Sequence, residues 1–218
     1  MALLDYSPPL SPYLNILYRD DDLLALDKPS GLLSVPGKAA EHKDSLQLRV
    51  QRVFPTATVV HRLDMATSGI MLFALNAHSH KHISLQFERR QTQKAYLARV
   101  YGVPGAQSGE IDLPLICDWP NRPRQMVDFV RGKHALTRWT LLQALVDHSV
   151  IRLEPVTGRS HQLRVHMLSL GHPILGDRLY AKGQALQMAE RLQLHAAELQ
   201  ISHPQSGQTL HFVSPCPF

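Results

Sequence analysis

Two cysteines among 218 residues, Cys117 and Cys216, stand far apart and outside any Cys-x-x-Cys pair, which excludes a disulfide framework and a thiolate zinc site. No apolar run approaches the length needed to span a bilayer, and the N-terminal "MALLDYSPPLSPYL" lacks the basic-then-apolar pattern of a secretory signal. These absences predict a soluble, unexported protein of the reducing cytoplasm. Metal-ligand spacing is missing as well, despite 13 histidines. His78, His80 and His82 alternate within a stretch that reads as helical, where such spacing fans the rings around the axis, and His161 and His166 stand five apart. No metal site is expected.

What is present suits a globular protein with a basic surface. Hydrophobic residues make up 44% of the chain, enough for a substantial core. Lysine and arginine number 23 against 18 aspartates and glutamates, a formal charge of +5, which makes polyanions fitting partners. Residues 1–13 are proline-rich and read as an extended arm, and residues 14–218 as one catalytic domain. "NILYRDDDLLALDK" predicts two short strands around an acidic turn, followed by a Pro- and Gly-rich loop. A helix follows, with Asp44 as cap, Gln47 three residues on, and Leu46, Val50, Val53 and Phe54 along one face.

"ATVVHRLD" and "SGIMLFAL" read as strands, the second apolar enough to be central. A helix is predicted from His78 to Arg90, then an alternating strand "KAYLARVYG", and a hairpin turned at Asp147. "GRSHQLRVHMLSLG" reads as a helix with Ser160 at its N-cap and Gly171 past its end. A short helix near 184–193 and two strands, "HAAELQISH" and "QTLHFVS", complete the chain. The order predicts an α+β protein built on a mixed, mostly antiparallel sheet.

One carboxylate draws attention. In an extended "HRLD", Arg62 and Asp64 share a side, while His61 and Leu63 face the other. Thr67, Ser68 and Gly69 then supply turn chemistry, so the acid sits at a strand end beside a tight turn, where reactive groups are well placed. An aspartate there is also a common turn cap.

The segments "HRLDMATSG", "KAYLARVYG", "GRSHQLRVHMLSLGHPILGD" and "LHAAELQISHP", with "LDKPSGLLSVPG" and "ICDWPNRPRQ", resemble in order the signature motifs of RNA pseudouridine synthases of the RluA family. The likeness runs from about Leu14 to Val213 and is greatest to members acting on both tRNA anticodon stem-loops and 23S ribosomal RNA. It implies the pseudouridine synthase fold and an isomerase that detaches uracil from its sugar, turns it and rejoins it through carbon, without cofactor.

By the same resemblance Asp64 is the catalytic acid, Arg164 the basic residue that orients it, and Tyr96 the active-site tyrosine whose ring stacks on the base. A lone carboxylate suffices, because no water need be activated, whereas glycoside hydrolysis normally uses two acids. Arg62 is the candidate for filling the stack vacated by the flipped nucleotide, and Arg89, Arg90, Lys94, Arg122, Arg124 and Arg131 for phosphate contacts. Two other classes remain: a non-catalytic RNA-binding protein, and a nucleoside or glycoside hydrolase with Asp112 or Asp177 as second acid.

Overall fold

A computed structural model describes residues 6–218. Along the chain run strands β1 (Ile16–Arg19) and β2 (Leu23–Lys28), helix α1 (Leu46–Val53), strands β3 (Thr58–Val59) and β4 (Ser68–Ala74), and helix α2 (Ala77–Glu88). Strands β5 (Gln93–Tyr101), β6 (Ser108–Asp112), β7 (Leu115–Cys117), β8 (Gln125–Val127), β9 (Leu136–Ala144) and β10 (His148–Pro155) follow. Helices α3 (Gln162–Ser169) and α4 (Gly183–Gln187) and strands β11 (Leu194–Ser202) and β12 (Thr209–Val213) complete it.

These elements form two compact units: a first of residues 6–94 with 196–217, and a second of residues 95–195 with Phe218. In the first, β4 lies between β2 and β11, with β1 beyond β2, while β3 adds to β4 and β12 to β11. All seven residues of β4 are buried. Its unbroken apolar run is explained by helices on both faces, since alternate side chains need an apolar neighbour on each side. Leu23, Ala25, Ile70, Leu72 and Ala74 pack with Ile83 of α2, whereas Leu24, Leu26, Met71 and Phe73 pack with Leu46 and Val50 of α1.

In the second unit the strands run β5–β10–β9–β6, and β7 with β8 forms a separate two-stranded ribbon. The β9–β10 hairpin turns at Asp147 as the sequence predicts. Pairings β1/β2, β2/β4, β3/β4, β5/β10, β9/β10, β6/β9, β7/β8 and β11/β12 are all antiparallel, in keeping with the expected α+β class.

Several local expectations need correction. The strand predicted over "ATVVHRLD" is confined to Thr58–Val59, and residues 60–64 are irregular. Helix α1 is capped by Ser45, whose Oγ accepts from the Leu48 N–H, and not by Asp44. The Asp44 carboxylate instead takes both arms of the Arg49 guanidinium (2.9 and 2.6 Å), because Arg49 is fully buried and needs its counter-charge there. Val53 is 54% exposed and leaves the predicted apolar face.

The N-cap of helix α3 is His161, not Ser160: His161 is in the left-handed region (φ 54°) and makes no side-chain cap. Gly171 does follow the helix end, with φ 90°. The short helix near 184–193 spans only Gly183–Gln187. Of the arm, residues 1–5 lie outside the described residues. Residues 6–13 carry neither helix nor strand, and the Tyr6 hydroxyl ties them to the Asp44 carbonyl and the Leu33 N–H.

Candidate active site

Asp64 sits in the first unit, half-buried, in the irregular segment between β3 and β4. Four consecutive carbonyls around it are each held. The Leu63 carbonyl accepts from Ser34 Oγ (2.6 Å), which also accepts the Leu63 N–H (3.1 Å). The Asp64 carbonyl accepts the Thr67 N–H at 3.1 Å, closing the turn. The Met65 carbonyl accepts from Lys28 Nζ (3.0 Å) and the Gly31 N–H (2.9 Å), and the Ala66 carbonyl from Ser30 Oγ (2.7 Å). Three of these four carbonyls are thus gripped by residues 28–34, a loop far away in sequence. A segment without ladder bonds must find other partners for its backbone, and these fix its path.

Lys28 is the centre of that grip. It is fully buried, and its three ammonium protons meet the carbonyls of Pro29 (2.9 Å), Leu32 (2.8 Å) and Met65 (3.0 Å). Burial pulls its pKa down to about 7, while the negative charges of Asp64 and Asp27 oppose the fall. Lysine inside the "LDKPSGLL" segment was legible only as part of a matched motif. No local pattern marks it as a hub, because its bonds reach 37 residues along the chain.

His61 anchors the other side of the turn. Its Nε2 accepts the Leu72 N–H (3.0 Å), and its ring stacks on Phe87 with centroids 4.6 Å apart. Burial, helped by the positive charge of Lys94, pushes its pKa down to about 3, so the ring is neutral and free to accept. Gly69 ends the mount at φ 113°, where an added Cβ would lie 2.3 Å from the Ala196 carbonyl oxygen. Arg62 is exposed, as are Arg89 and Arg90, and Lys94 is half-buried with its pKa lowered by burial and by Arg90.

The second unit holds Tyr96, Arg164, Arg122 and Arg124. Tyr96 is half-buried on β5, in register with Leu153 of β10. Arg164 is 5% exposed on α3, and its guanidinium meets Asp177 in a two-pronged pair, Nε to Oδ2 at 2.8 Å and Nη2 to Oδ1 at 2.7 Å. The Tyr180 ring lies 5.1 Å from the guanidinium carbon, and its hydroxyl accepts the Gln125 N–H (2.7 Å) while facing His161 Nδ1 (2.7 Å). Asp177 also accepts the N–H groups of Leu179 and Tyr180.

Asp177, weighed in the sequence as a hydrolytic acid, is therefore engaged as the partner of Arg164, and Asp112 is exposed beside His134. Arg122 is exposed, Arg124 half-buried, and Arg131 pairs with Asp128. The approach of Asp177 and Tyr180 to α3 is a tertiary fact; the "GDRLY" spacing alone does not announce it.

Among the described residues, one group of metal-compatible side chains gathers: Asp20, Asp22 and His203, with ligand atoms within 4.8 Å of one another. Both oxygens of Asp20 and one of Asp22 are already used. Asp20 accepts from the Tyr18 hydroxyl and from the Asp22 and Leu23 N–H groups, and Asp22 from Ser79 and Asn76, which joins the β1–β2 turn to the start of α2.

With this geometry described, the comparisons decide the family. Residues 22–169 match the profile of the RNA pseudouridylate synthase family. The chain is 52% identical over 219 residues to the dual-specificity RNA pseudouridine synthase RluA of Escherichia coli (strain K12), covering 100% of both chains. The chain belongs to the RluA family of RNA pseudouridine synthases.

A second RluA, from Vibrio cholerae serotype O1, is 51% identical over 218 residues, covering 100% of this chain and 89% of that one. Among solved structures, human RNA pseudouridylate synthase domain containing 1 superposes with a TM-score of 0.80 at 30% identity, covering 97% of this chain and 87% of that one. The pseudouridine synthase fold expected from the motifs is thereby borne out, and the chain is an RNA-modifying isomerase. No helix among the described residues is long and apolar enough to cross a membrane.

Proposed function

We propose that Asp64 is the acid of this RNA pseudouridine synthase, and that residues 14–218 work as one catalytic domain on uridines of a tRNA anticodon stem-loop and of 23S ribosomal RNA in the cytoplasm. The observation that carries the reading is the mount: four successive carbonyls from Leu63 to Ala66 are tied down, so the backbone that bears the carboxylate is held while the side chain stays half-exposed. A rigid support for one reactive group is what positioning a reacting atom requires.

In the isomerisation the N1–C1′ bond breaks, a C5–C1′ bond forms, the C5 proton departs and N1 gains a proton. The ionised carboxylate serves as nucleophile toward sugar or base, or as base toward the sugar 2′ position. Tyr96 supplies the ring on which uracil stacks, and its hydroxyl is suited to helping remove the C5 proton. Arg164, locked in its rotamer by Asp177 and Tyr180, supplies a fixed cation for a negatively charged centre. Arg62, exposed beside the acid in sequence, fills the space left by the everted nucleotide. The bond exchange balances within the nucleotide, so it needs no external oxidant or reductant.

RNA tritiated at uracil C5 tests this. The wild type is expected to release label to water without strand cleavage or free base, and Asp64→Asn to stay folded and bind RNA while releasing none. Appreciable turnover by Asp64→Asn would remove Asp64 from the mechanism. Free uracil would mean a hydrolase, and tight binding without release a non-catalytic protein.

A further inference from the structure

The tip of the β7–β8 ribbon presents an indole to solvent. Trp119 is 65% exposed, an unusual state for so large an apolar side chain, while the chain's second tryptophan, Trp139, is 5% exposed. The exposure does not come from a loose loop. Asp118 and Arg124 close the tip through an N–H to carbonyl bond of 3.0 Å, Asn121 and Arg124 donate back into it, and the Asn121 amide engages both oxygens of Asp118. The ribbon is fastened below by the Gln125 N–H to the Tyr180 hydroxyl, the same tyrosine that packs on Arg164.

The surroundings of the indole state what it would take. The Arg122 guanidinium carbon lies 4.7 Å from the ring centroid and covers one face, which leaves the other to a flat partner. Arg124 stands beside Tyr180 and lines a groove of about 520 Å³ whose other cation is Lys182 and whose lining holds no acid. The only carboxylate of the tip, Asp118, is engaged by Asn121. A flat π-face, a guanidinium stacked behind it and flanking cations are the combination that binds a nucleobase and its phosphates.

We propose that Trp119 is a stacking platform for an unpaired base of the RNA substrate, held between the indole and solvent with Arg122 as backing, at a position separate from the uridine that reacts. The inference rests on the RNA reading above and adds a residue to it. Base–aromatic stacking tolerates any base, so this contact supplies affinity and placement of an RNA loop, with no sequence code of its own.

Intrinsic fluorescence isolates the site, because buried Trp139 is shielded from ligand. Titration with an unmodified tRNA anticodon stem-loop transcript, followed in parallel by gel shift, should quench Trp119 emission over the concentration range in which the complex forms. Trp119→Ala should weaken binding roughly tenfold or more, with Trp119→Phe and Trp119→Tyr recovering most of the loss. The Trp139 emission that remains in Trp119→Ala reports that the variant is folded. RNA that binds and is isomerised with unchanged emission, or a Trp119→Ala protein that binds as tightly as wild type, overturns the platform and leaves the enzyme reading standing. A protein that neither binds the transcript nor releases tritium from it overturns both.

Discussion

The guanidinium of Arg164 and the carboxylate of Asp177 face each other through two parallel hydrogen bonds of 2.8 and 2.7 Å, with both side chains all but removed from solvent. Buried ion pairs add little stability when intact and cost a great deal when halved, since one charge is then left in a poor solvent. The pair's value here is geometric: it leaves Arg164 one orientation.

Asp177→Asn keeps the shape and removes the counter-charge. Stability should fall by about 3–5 kcal/mol, read as a lower urea midpoint. The double variant Arg164→Met, Asp177→Asn, which leaves no unpaired charge and keeps an oxygen for the Leu179 and Tyr180 N–H groups, should regain most of that loss while isomerising nothing. Activity in the double variant would show that Arg164 has no part in the reaction.

Lys28 gives the fold a pH dependence of definite sign. Its pKa drops from the ordinary 10.5 to about 7 on burial, so between those values the unfolded chain holds the proton more often than the folded one. Stability therefore rises with pH across that window, by up to about 1.4 kcal/mol per unit, and is flat with respect to this group below it. In Lys28→Met the rise should disappear, and the Pro29 and Leu32 carbonyls lose that donor at about 1–3 kcal/mol each. Urea unfolding of both proteins at pH 7, 8 and 9 reads the difference; parallel curves would sink the assignment.

Gly69→Ala places a Cβ against the Ala196 backbone at a φ of 113°. Left-handed strain alone is about 1–3 kcal/mol, and the collision adds to it. A loss above about 2 kcal/mol with an unchanged denaturant slope is expected. A neutral substitution would mean that the strand pair can open there.

Affinity for RNA should fall steeply with salt, because phosphate contacts release counterions. Arg89 is exposed at the end of α2, and Arg89→Ala should weaken binding across RNA sequences and flatten the log–log salt slope by about 1. An unaltered slope would remove Arg89 from the phosphate contacts.

Much of this was open to direct reading. The apolar run of β4 announces a strand buried on both faces, the periodicity of α2 its helix, and the ordered motifs around Asp64, Tyr96 and Arg164 the family. The errors fall where side chains overrule local preference. Asp44 has the chemistry of a cap but serves buried Arg49, and Ser45 caps in its place. "VVHRLD" has strand composition, yet beyond Val59 its backbone bonds to Ser34 and Thr67 and leaves the sheet.

The order of residues by itself determined the family and the reaction, since those reside in short motifs whose chemistry is local. Only the tertiary structure decided what holds the acid's backbone and what holds Arg164. Lys28 reaches a carbonyl 37 residues away and Ser34 one 29 away, and hydrogen bonds over such separations form only when the packed sheet brings the segments together, leaving no periodic trace in the chain.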